Sequence, residues 1–354
     1  MFETMREIDA TTTAEYLRET GRVARDALIQ VRELSGGVSN IVLRVEVAGR
    51  PPFVVKQCRE RLRVAMEWLA PLDRIWTESA TLGTLGQILP AGTVPSVLFE
   101  DRADYLFAMT CAADDAVTWK TQLLGDWHDP AGHAHHQDIA VRLGELLGTI
   151  HEDARSHPAL RGLLADTCLF EELRVDPYYR TIARRHPSLA GRIDSLIADM
   201  NRPLAERTLV LGDFSPKNIL VHRRGLVLLD FECAHAGDAA FDLGFFLTHL
   251  ILKEVRASIA GDGQMGRFVG LARAFWTSYL ERRSLDPQTL EEFDRRAARH
   301  TAACCLARVD GKSPVEYLDE RGQALARSLA LAAMDVESLT IARILDGLEE
   351  ETKG

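Results

Sequence analysis

The chain has 354 residues, of which 46% are hydrophobic, and this length favours two domains or lobes over one. Its net charge of −10 argues against a nucleic-acid partner, which would require a basic face. No apolar run is long enough to span a bilayer, the charged N-terminus lacks the apolar core of a signal peptide, and six scattered cysteines fit neither a disulfide framework nor a metal site. We therefore expect a cytoplasmic protein without a nucleic-acid or membrane partner.

The first third of the chain alternates β-rich segments with turns. Thr12 and Glu15 form a capping-box pattern, which predicts a short helix that ends near Gly21. Strands are predicted at 27–34, 40–47, 52–57, 94–101 and 104–111, with one helix between Asp73 and Pro90. After Cys111 helical periodicity takes over. The pattern predicts an α+β protein, in which an antiparallel β lobe with one helix precedes a mainly helical lobe.

Two features of the β lobe suggest chemistry. Gly36 and Gly37 lie between two strands, where glycine amides can approach a phosphate closely, although Gly-Gly is also an ordinary hairpin turn. Lys56 lies in an apolar strand and faces either solvent or the interior, since alternation allows both. An inward lysine could reach phosphate oxygens and would need a carboxylate partner. Glu78 and Glu67 are the candidates.

The segment VLGDFSPKNILVHRRGLVLLDFE interrupts the helical part of the chain at 210–232. We interpret it as two short strands, 208–211 and 226–229, around a polar turn. Phosphoryl transfer requires a carboxylate that accepts a hydroxyl proton, and Asp213 could be that base. It also requires an amide and a second carboxylate that hold Mg²⁺, and Asn218 and Asp230 could be these ligands. We expect pairing of the two strands to bring these side chains together. The alternative is an Asx-type turn and a hairpin with solvated acids.

Taken in order, these motifs resemble the aminoglycoside phosphotransferase family, which also includes choline kinases and methylthioribose kinases. The motifs that carry the resemblance are SGGVSN, FVVKQ, Glu78, GDFSPKN, LLDFE and GDAAFDL, between about residues 30 and 250. The resemblance implies a protein-kinase-like two-lobe fold. It places a nucleotide-binding lobe at 1–110, a hinge at 111–117, and a helical catalytic and substrate lobe at 118–354.

The resemblance also implies roles for single residues. Lys56 would bind the α- and β-phosphates and Glu78 would orient it, while Asp213 would be the catalytic base and Asn218 and Asp230 would hold Mg²⁺. The remaining nucleotide contacts would come from Gly36, Gly37, Val38 and Ser39 of the glycine loop and from Met109 and Cys111 near the purine. Asp242 would tie the following helix to the catalytic loop. Candidate substrate contacts are Glu232, Arg308 and Lys312.

Two departures from the family pattern matter. Leu211 replaces the histidine that usually precedes Gly-Asp, and Asp-Phe-Glu at 230–232 replaces Asp-Phe-Gly. A leucine cannot make the hydrogen bond of that histidine, so the loop would depend more on packing. We predict a kinase that uses ATP or GTP with Mg²⁺ to phosphorylate a hydroxyl of a small molecule, such as an aminoglycoside, a sugar or an amino alcohol. The alternative is a nucleotide-binding regulatory module without turnover, which Leu211 favours.

Overall fold

The structure is a computed structural model, and it describes residues 5–34, 40–59, 71–125, 127, 129–201, 203, 206–261 and 265–353. The strands are β1 (Ile29–Glu33), β2 (Asn40–Val47), β3 (Phe53–Cys58), β4 (Val97–Asp101), β5 (Leu106–Thr110), β6 (Val117–Thr118), β7 (Thr208–Val210), β8 (Ile219–His222), β9 (Gly225–Leu228) and β10 (His235–Gly237).

The helices run through most of the second half of the chain. They are α1 (Thr13–Glu19), α2 (Arg74–Ile88), α3 (Trp119–Leu123), α4 (Pro130–Asp153), α5 (Cys168–Phe170), α6 (Thr181–Arg185), α7 (Ala190–Met200), α8 (Ala240–Ala260), α9 (Arg267–Glu281), α10 (Pro287–Asp310), α11 (Glu320–Asp335) and α12 (Ile341–Lys353). A π-helix occupies Glu171–Arg180, and short 3₁₀ helices occupy Ala154–Ser156, Pro158–Arg161, Leu163–Ala165, Pro187–Leu189 and Pro216–Asn218.

The chain divides into two compact units. The first comprises Met1–Ala116 and Leu220–Glu232, and the second comprises Val117–Ile219 and Cys233–Gly354. The first contains an antiparallel sheet with one long helix and the second is mainly helical, which confirms the predicted fold class. The boundaries of the predicted nucleotide lobe, hinge and catalytic lobe stay predictions. In the parts of the chain that the structure describes, no helix is both long and apolar enough to cross a membrane.

The first unit is organised around a five-stranded sheet in the order β1-β2-β3-β5-β4. β3 is central and all six of its residues are buried, so both of its faces are covered. Phe53 and Val55 belong to an apolar core with Tyr16 and Leu17 of α1. Because side chains alternate along a strand, Lys56 belongs to the opposite face from Val55. The lysine that the sequence left undecided is therefore an inward residue, 6% exposed.

Long helices of the second unit approach each other closely at glycine residues. A Cβ atom on Gly144 of α4 would lie 2.3 Å from the carbonyl oxygen of Phe275 in α9. A Cβ atom on Gly244 of α8 would lie 2.4 Å from Cβ of His300 in α10. These contacts bring backbones together at distances that a side chain would prevent, and the second of them packs α8 directly against α10.

Two local predictions are wrong. Thr12 makes no side-chain cap on α1; instead Asp9 Oδ1 accepts from the backbone N–H of Thr12 at 2.9 Å, so Asp9 performs the capping role. The segment at 210–232 contains three strands rather than two. β7 pairs antiparallel with β10, and β8 pairs with β9. The predicted strands at 208–211 and 226–229 are thus not partners. The second of them pairs instead with Ile219–His222, a short apolar stretch that was not predicted as a strand.

Candidate active site

An ion-pair triad lies in the first unit, with Lys56 at its centre. The Lys56 ammonium is 2.6 Å from Glu78 Oε2 and 3.0 Å from Asp230 Oδ1. The side chain of Lys56 is 7% exposed and that of Glu78 is 2% exposed, and ion pairs strengthen where water is excluded. The ion pair predicted between Lys56 and Glu78 is confirmed. Glu67, the other candidate, lies outside the described residues.

The triad keeps Lys56 charged. Burial alone would lower the pKa of Lys56, but the charges of Asp230, Glu78 and Glu232 outweigh burial and raise that pKa above its ordinary value. Burial raises the pKa of Glu78 to about 7, and the Lys56 ammonium opposes this shift. A lysine whose pKa is raised carries its full positive charge at neutral pH. Such a cation suits a polyanionic ligand.

Asp230 holds its position in the triad with an uncommon backbone conformation. Its φ is 67°, in the left-handed region that side chains other than those of glycine, asparagine and aspartate rarely adopt. The residue lies two positions beyond the end of β9, where the chain leaves the strand. Its side chain is 30% exposed, so the carboxylate contacts Lys56 and is also accessible from outside.

Glu232, a predicted substrate contact, lies beside the triad in a buried network. Its Oε2 is 3.3 Å from Nε of Arg74 and accepts from Nδ2 of Asn40 at 3.4 Å. Arg74 is fully buried at the start of α2 and also donates to the carbonyl oxygens of Pro71 and Arg59. These contacts join β2, α2 and the segment after β9. The geometry gives Glu232 a structural contact, and its predicted role toward substrate stays a prediction.

The loop that carries Asp213 follows β7 in the second unit and is anchored through its backbone. Asp242, near the start of α8, accepts from the N–H of Leu211 at 2.7 Å and from that of Gly212 at 2.9 Å. This confirms the role predicted for Asp242. Gly212 has φ 74°, and a Cβ atom there would lie 2.7 Å from the carbonyl oxygen of Cys233, so glycine is required.

Leu211, the departure from the family pattern, is buried in this loop at 1% exposure. The carboxylate of Asp242 also contacts Nε2 of His151 at 3.2 Å, and Nδ1 of His151 is 3.0 Å from the hydroxyl of Tyr279. A histidine from α4 therefore lies beside the carboxylate that holds the loop. The loop is fixed by backbone bonds to a buried acid, and these bonds do not depend on the side chain at position 211.

Two cations contact the carboxylate of Asp213. Nη2 of Arg174 is 2.9 Å from Asp213 Oδ2, and Nζ of Lys217 is 2.8 Å from the same oxygen. Arg174 also donates from Nε to the carbonyl oxygen of Gly212 at 2.6 Å. Ser215 donates to Asp213 Oδ1 at 3.3 Å. The carboxylate is only 7% exposed, so these contacts fix its orientation as well as its charge.

Asn218, the predicted metal ligand of this loop, ends the 3₁₀ helix Pro216–Asn218. Its Nδ2 donates to the backbone oxygen of Asp213 at 3.1 Å. This bond determines the orientation of the amide, because the carbonyl oxygen Oδ1 then points away from the Asp213 backbone. An oriented amide oxygen is a ligand that Mg²⁺ accepts.

The other predicted site residues have varied surroundings. Met109 is buried on β5, and Cys111 follows that strand half-buried. Arg308 donates from Nη1 to the hydroxyl of Tyr178 at 3.2 Å, whereas Lys312 contacts Asp176 at 2.6 Å on the surface. The glycine loop lies outside the residues that the structure describes. Its predicted members are Gly36, Gly37, Val38 and Ser39.

Sequence reasoning missed Arg174, which contacts the predicted base, and His151, which contacts its anchor. Arg174 lies on the π-helix, 38 residues before Gly212, and no local spacing connects the two. His151 interrupts the apolar face of α4 as a fully buried polar residue. Burial lowers the pKa of His151, and Asp242 partly offsets this shift. A histidine at the end of an apolar helical stripe was the available signal.

Comparison with known proteins identifies the family. A model of the phosphotransferase enzyme family matches residues 30–281, which is most of the chain. The chain belongs to this family, and the class of enzyme predicted from the sequence, a phosphotransferase, is confirmed at that level.

Two methylthioribose kinases are similar in sequence. That of Yersinia enterocolitica serotype O:8 / biotype 1B is 26% identical in an alignment that covers 69% of this chain and 65% of that protein. The chain thus matches slightly less than two thirds of the length of that relative. The methylthioribose kinase of Bacillus velezensis is 23% identical in an alignment that covers 90% of this chain and 87% of that protein.

Solved structures share the fold at low identity. A choline kinase from Cryptosporidium parvum Iowa II has a TM-score of 0.57 and 10% identity, covering 98% of this chain and 100% of that chain. A choline/ethanolamine kinase family protein from Mesorhizobium loti has a TM-score of 0.50 and 14% identity, covering 96% and 99%. These likenesses confirm the predicted protein-kinase-like fold.

Proposed function

We propose that the chain is a small-molecule kinase that transfers the γ-phosphate of ATP or GTP to a hydroxyl of a small substrate. The observation that carries the proposal is the Lys56 triad, in which a buried lysine is held by the carboxylates of Glu78 and Asp230. A fixed cation neutralises phosphate charge without reorganisation during the reaction. The names of the two bacterial relatives, both methylthioribose kinases, support a small-molecule acceptor.

In the proposed reaction Asp213 is the base. The acceptor oxygen forms a bond to the γ-phosphorus as the bond from that phosphorus to the β–γ bridging oxygen breaks, and the nucleoside diphosphate leaves. The hydroxyl proton passes to the carboxylate of Asp213. Arg174 and Lys217 hold this carboxylate in one orientation, and positioning is the main contribution of a base when the transition state is loose.

The donor set of the chain fits Mg²⁺, whose preferred ligands are hard oxygen atoms. Asn218 offers an oriented amide oxygen and Asp230 a partly exposed carboxylate. When bound, the ion would neutralise phosphate charge. We further propose that the glycine loop at 36–39 contacts phosphates, and that Met109 and Cys111 lie near the purine.

A nucleotide-consumption assay with Mg²⁺ and a panel of small alcohols, sugars and antibiotics tests the proposal. Asp213→Asn should lower acceptor phosphorylation by about 10²–10⁴-fold, the usual effect of losing a positioned base. Its affinity for Mg-nucleotide should stay near that of the wild type, since Asp213 does not bind the nucleotide in this scheme. Asp346→Asn, which removes an exposed carboxylate paired with Arg273 on the surface, is the matched control.

Two results would contradict this scheme. Near-normal turnover by Asp213→Asn would show that Asp213 is not the base. Tight Mg-nucleotide binding by the wild type, without turnover of any acceptor in the panel, would favour the nucleotide-binding regulatory module instead.

A further inference from the structure

A second buried lysine, Lys253 of α8, has surroundings that the proposed function does not use. Its side chain is 1% exposed. Its ammonium donates to the carbonyl oxygen of His249 at 3.1 Å and lies over the ring of Tyr317, 5.1 Å from the centroid. Among the residues that the structure describes, no carboxylate lies within ion-pair distance of it. An ammonium buried with only neutral contacts is costly unless a ligand compensates it.

The neighbours of Lys253 add positive charge and unsatisfied polar atoms. Arg308 also has no carboxylate partner in the described parts of the chain, since its Nη1 donates to Tyr178 and Ser313. Three polar atoms in this region are buried without a hydrogen-bond partner there. They are Nε of Arg308, Nε2 of His249 and the hydroxyl of Tyr317. We call Lys253, Arg308, His249 and Tyr317 the Lys253 cluster.

The other charges near the cluster are of both signs. Burial alone would lower the pKa of Arg308, but Tyr178, Tyr317 and the carboxylate of Asp213 outweigh burial and raise it. Lys120, Arg256 and Arg308 each lower the pKa of Lys253, whereas Glu316 raises it. Glu316 is itself paired with Lys120. His249 is likewise influenced by cations, and its pKa is lowered well below the ordinary value by burial first and then by Lys253 and Arg308.

A continuous set of contacts connects the cluster to Asp213. Arg174, which pairs with Asp213, lies over the rings of Tyr178 and Phe245 at 6.0 and 5.5 Å. Tyr178 accepts from Arg308. On α8, Phe245 contacts His249 with ring centroids 5.2 Å apart, and the carbonyl oxygen of His249 holds the Lys253 ammonium.

The direction of the Lys253 side chain adds to this connection. Phe245, His249 and Lys253 are spaced by four residues and therefore share one face of α8. Because the ammonium bonds one turn back, it points toward the end of α8 where Asp242 anchors the catalytic loop.

We propose that the acceptor carries a negatively charged group, a carboxylate or a phosphate, and that the Lys253 cluster binds this group while a hydroxyl of the same molecule is presented to Asp213. The proposal rests on the proposed kinase function and specifies its substrate class. An anion would pair with Lys253 and Arg308 and accept from Tyr317, so it would satisfy the groups that are buried without partners. A polycationic acceptor would be repelled by the same charges.

Matched acceptors that differ in one group test the substrate class. Gluconate is compared with glucitol, glycerate with glycerol, and glucose 6-phosphate with glucose, with kanamycin and choline as cationic probes. We expect kcat/KM to be higher for the anionic member of a pair. The carboxylate and phosphate arms show which anion the cluster prefers. A neutral or cationic compound as the best acceptor would overturn the inference and leave the kinase proposal intact.

Variants test the cluster by binding, independently of turnover. Lys253→Met keeps the volume of the side chain and removes its charge, and Tyr317→Phe removes only a hydroxyl. Binding of the anionic probe should weaken on the order of 30-fold or more in Lys253→Met, as expected for loss of one partner in a buried charge pair, and several-fold in Tyr317→Phe. Arg273→Met, which removes a surface cation paired with Asp346, should bind like the wild type.

The two proposals fail in distinguishable ways. Loss of Mg-nucleotide binding and of all turnover in the wild type contradicts the kinase function. If nucleotide binds but no panel compound is phosphorylated, thermal shift with gluconate and glucose 6-phosphate decides. Stabilisation of the wild type that Lys253→Met loses supports the inference. Equal stabilisation of both proteins, or of neither, overturns it.

Discussion

The chain buries two lysines in opposite ways. Lys56, in the sheet of the first unit, lies between the carboxylates of Glu78 and Asp230, and its pKa is raised. Lys253, on a helix of the second unit, contacts a carbonyl oxygen and a phenol ring, and burial lowers its pKa to about 7. The two lysine residues are almost equally buried, at 6% and 1% exposure. Burial alone therefore does not decide what a lysine does, and the charges around it do.

The two lysines differ in whether a carboxylate pairs with them among the described residues: Lys56 has two such partners and Lys253 has none. The Lys56 triad is balanced by groups of its own chain, which suits a cation that must be fixed before a ligand arrives. The Lys253 cluster contains two cations, Lys253 and Arg308, that no carboxylate of the described residues contacts at ion-pair distance. A protein keeps such an arrangement at a cost in stability, and the cost is understandable where a ligand supplies the missing charge.

Removing the first lysine should have the largest effect on stability. Lys56→Met leaves Glu78 and Asp230 close together without their cation, and breaking a buried ion pair from one side typically costs about 3–5 kcal/mol. Chemical denaturation at pH 7 measures this loss. The double variant Lys56→Met/Glu78→Gln should recover part of the lost stability, because it also removes the charge of Glu78 that the single variant leaves without its cation. Equal stability of the single variant and the wild type would mean that the triad does not hold the sheet.

Removing the second lysine should have the opposite sign. Lys253→Met eliminates an uncompensated buried ammonium, so without ligand we expect stabilisation on the order of 1–4 kcal/mol at pH 7. The same denaturation experiment measures it. A destabilised Lys253→Met would show that the ammonium is compensated in the folded chain, and the contrast between the two lysines would then disappear.

The pH dependence of stability sharpens this point. The pKa of Lys253 is about 7 in the folded chain and 10.5 ordinarily, so between these values the unfolded chain binds a proton that the folded chain lacks. Stability from this group therefore rises with pH across that window, by up to about 1.4 kcal/mol per pH unit. The difference in unfolding free energy between wild type and Lys253→Met, measured from pH 7.5 to 9.5, should shrink by this slope. A constant difference would contradict the lowered pKa.

Local patterns predicted the elements around the first lysine but left the direction of its side chain and its partner open, and the family resemblance pointed to Glu78. β-rich runs located the strands of the first sheet, and the order of glycines, lysine and glutamate suggested a phosphate site before any geometry was known. The second site could not be predicted in the same way. Lys253 was visible as a cation at the end of the apolar run LGFFLTHLIL, but its missing partners are a property of packing between α8, α10 and the segment at 311–319.

The same limit explains the errors near Asp213. Strand pairing at 208–237 is non-local, since β7 pairs with β10 beyond the intervening hairpin of β8 and β9. The contact between Arg174 and Asp213 depends on a π-helix with Pro177 inside it, which sequence periodicity does not indicate. Leu211 was a reason to doubt the loop, whereas the anchor is made by a backbone N–H group that any residue except proline would supply at that position.

Backbone conformation at Asp230 gives a smaller effect within the first site. Asp230→Asn and Asp230→Ala both remove the charge next to Lys56, and asparagine keeps an amide oxygen that can still accept from the ammonium. Asparagine tolerates the left-handed φ of 67° and alanine does not, so we expect Asp230→Ala to be less stable than Asp230→Asn by about 1 kcal/mol. Thermal unfolding compares the two. Asp230→Gly should resemble asparagine, and three equal values would show that this conformation is not strained.

The smallest effect should come from a third lysine, Lys312, whose ion pair lies on the surface. Lys312 pairs with Asp176 at 2.6 Å, but the two side chains are 36% and 37% exposed, so water screens the pair. Lys312→Ala should therefore change stability by less than about 1 kcal/mol, the usual worth of a surface ion pair. If the lysine serves only this pair, the KM for the acceptor should also stay within about twofold of the wild type. A KM raised tenfold with unchanged stability would instead place Lys312 at the acceptor, the role that the family resemblance implies for it together with Arg308.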